Sequence, residues 1–459
     1  MIGKSRWVVV AVVIAVAAGA GTAYLLIRPK HRHVASPASA AAPTRPALLQ
    51  ALPTTAPAPS AAAVQTALGS GLRSPAFGGS IVGEVVDAAT GDVLFDRDAT
   101  TSLPPASTAK LLTAAAALTT LGPTATLSTK VVRAGDTVYL VGGGDVTLRA
   151  RARPAYPPVA DIATLATRTV AALRAAPTGA TPSGATPGPL RLCADTSAWD
   201  GPARAPGWSQ SYFNDGDIAP LSALEVDEGV ATIGQNARVA DPAGAAAAAF
   251  AEDVAADGVR LRTSGCRAVA PATATVIASV SSPPVAALVQ RMLTVSDNDL
   301  AEALGRTVAG HEGASRDFSG EAAAVASALT RLGVPTTSLR LVDASGLSRL
   351  DRVPPTLLID VLRLAISPTH PELRPLLDGL PIAGLTGTLA DRYRRRDVSA
   401  AAGLARAKTG TLLGVNTIAG YVVDTDGRLL VFAFLTGHAV SPDTAEPALD
   451  RLVAALAGV

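Results

Sequence analysis

The chain has 459 residues, of which 48% are hydrophobic, 17% charged and 3% aromatic, and its formal net charge is +2. This length is enough for two or three domains with sizeable cores. A charge balance close to zero argues against a nucleic-acid partner, and the scattered histidines form no metal-binding motif, so we expect neither a metal nor a cofactor.

The first segment is an apolar stretch with basic residues on either side. Lys4 and Arg6 precede a run at 7–27 that carries no charge, about the length needed to cross a bilayer of roughly 30 Å. We therefore predict a membrane anchor at 1–33, which places the rest of the chain outside the cytoplasm. A cleaved secretory signal is the alternative, because the small residues at 18–20 are compatible with cleavage.

An Ala/Pro-rich segment follows the anchor and precedes the first regular elements. Residues 34–75 are predicted to form an extended linker, since they have neither a helical nor a strand period. β-Forming residues at 79–87 and 92–96, separated by an Ala-Thr-Gly turn, predict a hairpin. Prolines followed by Ala and Leu at 103–118 predict the start of a buried helix.

The segment 128–269 differs in texture, with short strands and a Thr/Pro/Gly/Ala-rich loop at 177–189. We interpret it as inserted domains between the two parts of one α+β domain, 76–127 and 270–459. The second part is predicted to contain helices near 284–308, 355–366 and 443–456 and strands near 404–411, 416–423 and 429–436.

The two cysteines of the chain are Cys193 and Cys266. An even pair in an exported protein is compatible with a disulfide. Two separate buried thiols are the alternative.

The motif Ser107-Thr-Ala-Lys110 lies where the buried helix is predicted to begin. Residues three apart are neighbours on a helix surface, so Lys110 can lie beside the Ser107 hydroxyl. A desolvated lysine can take the proton that makes a serine nucleophilic, and N–H groups at a helix start suit an oxyanion. Alone, the motif also matches an N-cap serine followed by a surface lysine.

The second motif is Ser296-Asp-Asn298. Its serine hydroxyl can pass a proton to a leaving amine, and its Asn side chain can both donate to and accept from a peptide amide. Alone, these residues also match a helix N-cap.

The third motif, Lys408-Thr-Gly-Thr411, is predicted on a strand, with Lys408 and Gly410 on one face. Lys408 offers a cation for a terminal carboxylate, with the hydroxyls of Thr409 and Thr411 nearby. Gly410 is expected to let a substrate backbone approach closely. Alone, the motif also matches a turn at the end of a strand.

The order S-x-x-K, S-x-N, K-T-G is that of penicillin-binding proteins and class A β-lactamases. From about Gly79 to its C-terminus the chain resembles the class C low-molecular-mass penicillin-binding proteins, the D-alanyl-D-alanine carboxypeptidase/endopeptidase family. A gap of 186 positions between Lys110 and Ser296 agrees with the inserted domains of that family. Four further segments carry the resemblance: Tyr139-Leu-Val-Gly-Gly-Gly-Asp145, Leu341-Val-Asp-Ala-Ser-Gly-Leu-Ser-Arg349, Leu380-Pro-Ile-Ala-Gly-Leu-Thr-Gly-Thr-Leu389 and Gly420-Tyr-Val-Val.

The resemblance implies a penicillin-recognising α+β fold, with an antiparallel five-stranded sheet flanked by helices. It implies a serine D-Ala-D-Ala carboxypeptidase, with or without DD-endopeptidase activity, that acts on peptidoglycan stem peptides and is acylated by β-lactams. By motif match, Ser107 is the nucleophile, Lys110 the base and Ser296 the proton relay. The substrate-binding residues implied in the same way are Asn298, Lys408, Thr409, Gly410 and Thr411, with the N–H groups of Ser107 and Thr411 at the oxyanion.

Three other functions remain open at this stage. A β-lactamase-like hydrolase shares the acylation step, but the E-x-x-L-N stretch of class A enzymes is missing from 320–345. A catalytically inactive cell-wall-binding protein would not require the intact motif residues. An esterase or aminopeptidase on the same fold is less compatible with Lys408 and Thr409, which favour a substrate with a free carboxylate.

Overall fold

The computed structural model describes residues 56–175 and 190–459. The helices in these ranges are α1 (Ala61–Gly69), α2 (Lys110–Thr120), α3 (Ile162–Ala175), α4 (Gln210–Asn214), α5 (Pro242–Ala256), α6 (Val285–Thr294), α7 (Asn298–His311), α8 (Phe318–Arg331), α9 (Pro355–Ile366), α10 (Arg374–Asp378) and α11 (Pro442–Ala457). The strands are β1 (Ile81–Asp87), β2 (Val93–Arg97), β3 (Ser128–Ala134), β4 (Thr137–Val141), β5 (Leu190–Asp195), β6 (Leu261–Arg267), β7 (Thr275–Ser281), β8 (Ala405–Leu412), β9 (Val415–Val423) and β10 (Leu429–Thr436).

The first sheet has five strands in the order β2-β1-β10-β9-β8. Every neighbouring pair in it is antiparallel. The chain therefore brings its N-terminal hairpin beside its last strand, and β8 forms one edge. This confirms the antiparallel five-stranded sheet that the family resemblance implied.

Strand β10 shows why this sheet lies between two layers of helices. Successive side chains on a strand point to opposite faces, and both faces of β10 are apolar. Val431, Ala433 and Leu435 enter the core that contains α2 and α6–α9. Phe432 and Phe434 enter the second core, which contains α1 and α11.

A helix predicted near 284–308 is two helices in the structure, α6 and α7. The break falls at Ser296, whose φ of 60° lies in the left-handed region that a continuing helix cannot contain. Asp297 then caps α7, because its carboxylate accepts a hydrogen bond from the N–H of Leu300 at 3.0 Å. The break thus positions the second motif at the start of α7.

The inserted segment forms a second five-stranded sheet in the order β6-β5-β4-β3-β7. Strands β4, β5 and β6 pair in parallel, while β3 pairs antiparallel with both β4 and β7. Helices α3 and α5 contribute Leu165 and Phe250 to the core of this sheet. Cys193 on β5 and Cys266 on β6 are joined in a disulfide.

Two predicted domain boundaries are wrong. The insertion does not end at 269, because β7 at Thr275–Ser281 pairs with β3 and so belongs to the second sheet. The linker does not extend to 75, because α1 lies within it and buries Val64 and Leu68 against the first sheet domain. The Ala-rich sequence of α1 is therefore a packed helix in spite of its linker-like composition.

The predicted anchor at 1–33 and the loop at 177–189 lie outside the described residues. In residues 56–175 and 190–459, no helix combines the length and the apolar character needed to span a bilayer.

Candidate active site

The first motif occupies a tight turn that leads directly into α2. Residues Ala106–Ala109 form one 3₁₀ turn, and Lys110 is the first residue of α2. The Nζ atom of Lys110 lies 3.0 Å from the Oγ atom of Ser107, as the spacing of the motif predicts. The backbone at Gly346 packs directly against this turn, since a Cβ atom added to Gly346 would lie 1.9 Å from the carbonyl oxygen of Ala106.

Lys110 is completely buried, and its amine has three partners. Besides Ser107 Oγ, Nζ contacts the Oδ1 atom of Asn298 at 2.6 Å and the carbonyl oxygen of Ser345 at 2.7 Å. Burial lowers the pKa of Lys110 to about 8, although the nearby carboxylates of Asp343 and Glu302 act in the opposite direction. About a tenth of the amine is therefore neutral at pH 7 and able to accept a proton.

Glu302 holds the segment that contacts Lys110. Its carboxylate accepts hydrogen bonds from the backbone N–H groups of Ser345 at 2.8 Å and Ala344 at 3.3 Å. Burial, followed by the charge of Asp343, raises the pKa of Glu302 to about 7. The motif reading missed Glu302, although its position four residues after Asn298 on α7 was a usable signal.

The second motif connects the two lysines of the site. Ser296 Oγ accepts a hydrogen bond from Lys408 Nζ at 2.9 Å, while Asn298 Oδ1 accepts from Lys110. The Asn298 amide also donates to the carbonyl oxygen of Asp217 at 2.9 Å. The left-handed backbone of Ser296 is a conformation that non-glycine residues keep mainly where the surroundings fix it, as at active sites.

Lys408 lies on β8 and is also completely buried. Its amine contacts Ser296 Oγ and donates to the carbonyl oxygen of Thr409 at 2.7 Å. Burial, followed by repulsion from Lys110, holds the pKa of Lys408 well below its ordinary value. An anion arriving beside Lys408 would therefore favour uptake of a proton by this amine.

Gly410 allows β8 to pack directly on the nucleophile turn. A Cβ atom at this position would lie 2.3 Å from Thr417 Oγ1 and 2.8 Å from both Pro105 O and Ser107 N. Sequence reasoning had assigned the glycine to the approach of a substrate backbone. The atoms that exclude a side chain here belong to the protein itself, so packing alone is a sufficient reason for a glycine at this position.

The two threonine hydroxyls of the third motif each have a side-chain partner other than Lys408. Thr409 Oγ1 is 2.9 Å from Thr388 Oγ1, and Thr411 Oγ1 donates to a carboxylate oxygen of Glu446 on α11 at 2.9 Å. The expectation that the Thr411 hydroxyl is available beside Lys408 is therefore wrong. Strand alternation explains it, since residues three apart on a strand point to opposite faces. Thr388 was not among the predicted site residues.

The inserted segment contributes one wall of the site. Besides the carbonyl of Asp217, it supplies Trp208, whose indole N–H donates to Asp343 at 2.6 Å. It also supplies the N–H of Ala219, which donates to Asp299 at 2.9 Å. The motifs gave no sign of these contacts, because they join positions that are far apart in sequence.

The similarity of this chain to known proteins covers the residues of both sheets. The chain matches the D-Ala-D-Ala carboxypeptidase 3 (S13) family over residues 64–236 and 230–457. It is 39% identical over 462 residues to carboxypeptidase DacB of Mycolicibacterium smegmatis, with 98% of this chain and 95% of that protein covered. It is 30% identical over 435 residues to a D-alanyl-D-alanine carboxypeptidase of Actinomadura sp., with 80% of each chain covered.

Among solved structures, the fold is similar to penicillin binding protein 4 (dacB) of Haemophilus influenzae. The TM-score is 0.65 at 21% identity, and the alignment covers 86% of this chain and 98% of that one. The five-stranded sheet, its helices and the inserted sheet therefore form an architecture already seen in an experimental structure.

Proposed function

The chain belongs to the D-Ala-D-Ala carboxypeptidase 3 (S13) family and is a serine D-Ala-D-Ala carboxypeptidase, and we propose that it cleaves peptidoglycan stem peptides through an acyl-enzyme on Ser107. The observation that carries this assignment of roles is the contact of 3.0 Å between Lys110 Nζ and Ser107 Oγ. This contact joins the Ser107 hydroxyl to the Lys110 amine, and burial lowers the pKa of that amine to about 8. This is the pairing of nucleophile and base that acyl transfer requires.

In the proposed acylation step, the neutral amine of Lys110 takes the proton of Ser107 as Oγ attacks the carbonyl of the penultimate D-Ala. The negative charge on the carbonyl oxygen is bound by the N–H groups of Ser107 and Thr411. The C–N bond to the terminal D-Ala then breaks, and Ser296 passes a proton to the leaving amine. Ser296 is suited to this role because its hydroxyl contacts Lys408, which can replace the proton.

Substrate binding is proposed to use the other lysine. The terminal carboxylate lies near Lys408 and Thr409, and the neighbouring negative charge restores the proton that burial disfavours. Asn298 is proposed to hold the substrate amide, with its side chain already oriented by Lys110 and by the carbonyl of Asp217. Lys408 thus carries its positive charge only when the carboxylate of a substrate is bound beside it.

Deacylation completes the cycle with water as the nucleophile. After the terminal D-Ala has left, Lys110 releases to solvent the proton that it took from Ser107. The neutral Lys110 then takes a proton from the water, the water oxygen bonds to the acyl carbon, and the ester bond to Ser107 breaks. The proton held by Lys110 then returns to Ser107 Oγ, so the enzyme is regenerated and a shortened stem peptide leaves. A cross-linked stem whose leaving group is another peptide would follow the same steps, and we extend the proposal to this DD-endopeptidase reaction.

We propose that the enzyme works outside the cytoplasm, tethered by 1–33, with release after signal cleavage as the alternative. The apolar run at 7–27 and the disulfide between Cys193 and Cys266 support export, since disulfides persist in oxidising compartments. Sequencing the N-terminus of protein from the membrane and soluble fractions of cells tests it. An intact N-terminus in the membrane fraction supports the tether, whereas a terminus beyond residue 20 in the soluble fraction supports cleavage.

The direct test of function uses a purified stem pentapeptide and a cross-linked stem dimer, with products identified by mass. Release of one D-Ala per pentapeptide by the parent and none by Ser107→Ala is expected. Hydrolysis of the dimer by the parent would establish the second activity. Covalent labelling by a fluorescent penicillin separates the alternatives, because an inactive wall-binding protein would not label and a β-lactamase would turn the reagent over rapidly.

A further inference from the structure

A second cavity lies between loops of the inserted segment and α6. Its volume is about 750 Å³, within the range of ligand sites in proteins. Its apolar wall includes Val159, Val230 and Leu288, and the exposed side chains of Tyr156 and Ile233 also line it. Neither lysine of the active site lines this cavity.

The charged lining of the cavity favours an anion. Three arginines and two carboxylates line the cavity. Two of the arginines form ion pairs with these carboxylates, Arg153 with Asp227 and Arg291 with Glu228. The third, Arg149, donates to the carbonyl oxygen of Arg153 at 2.8 Å. Within residues 56–175 and 190–459, no carboxylate pairs with Arg149, so the guanidinium donors other than the one bonded to Arg153 are available to a carboxylate.

The two acidic residues of the cavity have an unusual backbone. Asp227 and Glu228 follow one another with φ of 51° and 56°, in the left-handed region that non-glycine residues rarely adopt. Their N–H groups are held by the carbonyl oxygens of Leu148 at 2.7 Å and Val146 at 3.2 Å. The surrounding structure thus maintains two successive strained residues, a feature that concentrates at ligand sites and switch regions.

A chain of contacts leads from the cavity to the second motif. Arg291, which lines the cavity and pairs with Glu228, also donates from Nε to the carboxylate of Asp297 at 3.2 Å. Asp297 lies between Ser296 and Asn298 and caps α7. A ligand that competes for Arg291 would therefore act on the backbone that orients both active-site side chains.

We propose that this cavity is a second binding site, for a carboxylate-bearing peptide, whose occupancy acts on the second motif through Arg291 and Asp297. Arg149 binds the carboxylate, and the apolar wall accommodates small side chains. The identification of the ligand as a peptidoglycan stem peptide rests on the proposed function. The site would then bind a stem that is not the one being cleaved.

Calorimetric titration of the protein with its active site blocked by penicillin tests the proposal. The probe is the tripeptide L-Ala-γ-D-Glu-L-Lys, which has free carboxylates and no D-Ala-D-Ala end, and the control probe is the same peptide with its carboxylates amidated. We expect the free tripeptide to bind and the amidated one to bind at least about tenfold more weakly, the effect of losing a charged hydrogen bond. Equal binding of the two probes, or no binding of either, overturns the proposal.

Matched variants locate the site. Arg149→Gln should weaken tripeptide binding about tenfold, while Arg151→Gln should not, because Arg151 is 70% exposed, pairs with Glu252 and does not line the cavity. In the parent, the tripeptide should also change the rate of penicillin labelling at least about twofold, and Arg149→Gln should abolish that change. The proposal would be refuted if the two variants bound the tripeptide with equal affinity. It would also be refuted if the tripeptide left the labelling rate of the parent unchanged.

The outcome for the cavity can be separated from that for the enzyme. If penicillin labels the parent and pentapeptide is cleaved but the tripeptide does not bind, the cavity proposal alone fails. If penicillin does not label the parent, the proposed function fails.

Discussion

The titration of Lys110 makes the strongest quantitative prediction. At the pKa of about 8 that burial imposes, roughly 9% of the amine is neutral at pH 7, against about 0.03% at the ordinary value of 10.5. Burial therefore raises the concentration of the reactive base about 300-fold at this pH. Because only the neutral form accepts a proton, the acylation rate should increase about tenfold per pH unit below pH 8 and level off above it.

Stopped-flow labelling by saturating fluorescent penicillin between pH 5.5 and 9 measures this profile. Lys110→Ala should lower the rate about 10²- to 10⁴-fold and remove the inflection near pH 8. The matched control is Lys130→Ala, since Lys130 is an exposed lysine on β3 of the second sheet, whereas the motifs lie on other elements, and its loss should leave the profile unchanged. A flat profile in the parent, or parent-like acylation by Lys110→Ala, would refute the role of Lys110 as base.

Three further changes probe other parts of the site and fold. Lys408→Met should lower kcat/KM about 10- to 100-fold more for a peptide with a free C-terminal carboxylate than for its C-terminal amide, and equal losses on both peptides would contradict carboxylate binding. Glu302→Gln should shift the inflection of the acylation profile to lower pH, because the carboxylate of Glu302 raises the pKa of its neighbour Lys110, and an unchanged inflection would limit Glu302 to a structural role. Replacing Cys193 and Cys266 by serine should lower the free energy of unfolding by about 4 kcal/mol, the loop-closure value for a separation of 73 residues, and an unchanged denaturant midpoint would contradict that stabilisation.

Local patterns were sufficient for the strands of the first sheet. The hairpin at 79–87 and 92–96 and the strands near 404–411 and 429–436 lie within two residues of their predicted bounds. Alternation and turn residues are local signals, so they survive folding. The S-x-x-K spacing likewise placed the lysine beside the serine, because a single turn decides that contact.

Other features depend on contacts between distant parts of the chain. The true end of the insertion is set by pairing of β7 with β3, and α1 is a helix because α11 and the first sheet cover its apolar face. The break at Ser296 has no glycine to signal it, since surrounding contacts hold the left-handed backbone. Apart from the match of 296–298 to a helix N-cap, the sequence pattern carries none of this information.

The electrostatics of the site were the hardest part to predict. The motif predicts that Lys408 offers a cation, whereas its burial beside Lys110 lowers its pKa and makes that charge depend on an arriving anion. The contribution of Glu302 likewise arises from burial around 344–345. Burial is a property of the whole fold, so residue type and spacing do not specify it.

The central claim is that Ser107 forms the covalent intermediate, and trapping that intermediate tests it most directly. The parent is mixed with stem pentapeptide, quenched in acid within milliseconds, digested and analysed by mass. We predict that the tetrapeptidyl group is attached to the peptide containing Ser107, at a level that rises when the reaction is run at higher pH through 8. An adduct on any other residue, or D-Ala release with no adduct under conditions that trap penicillin on the same protein, would contradict the account.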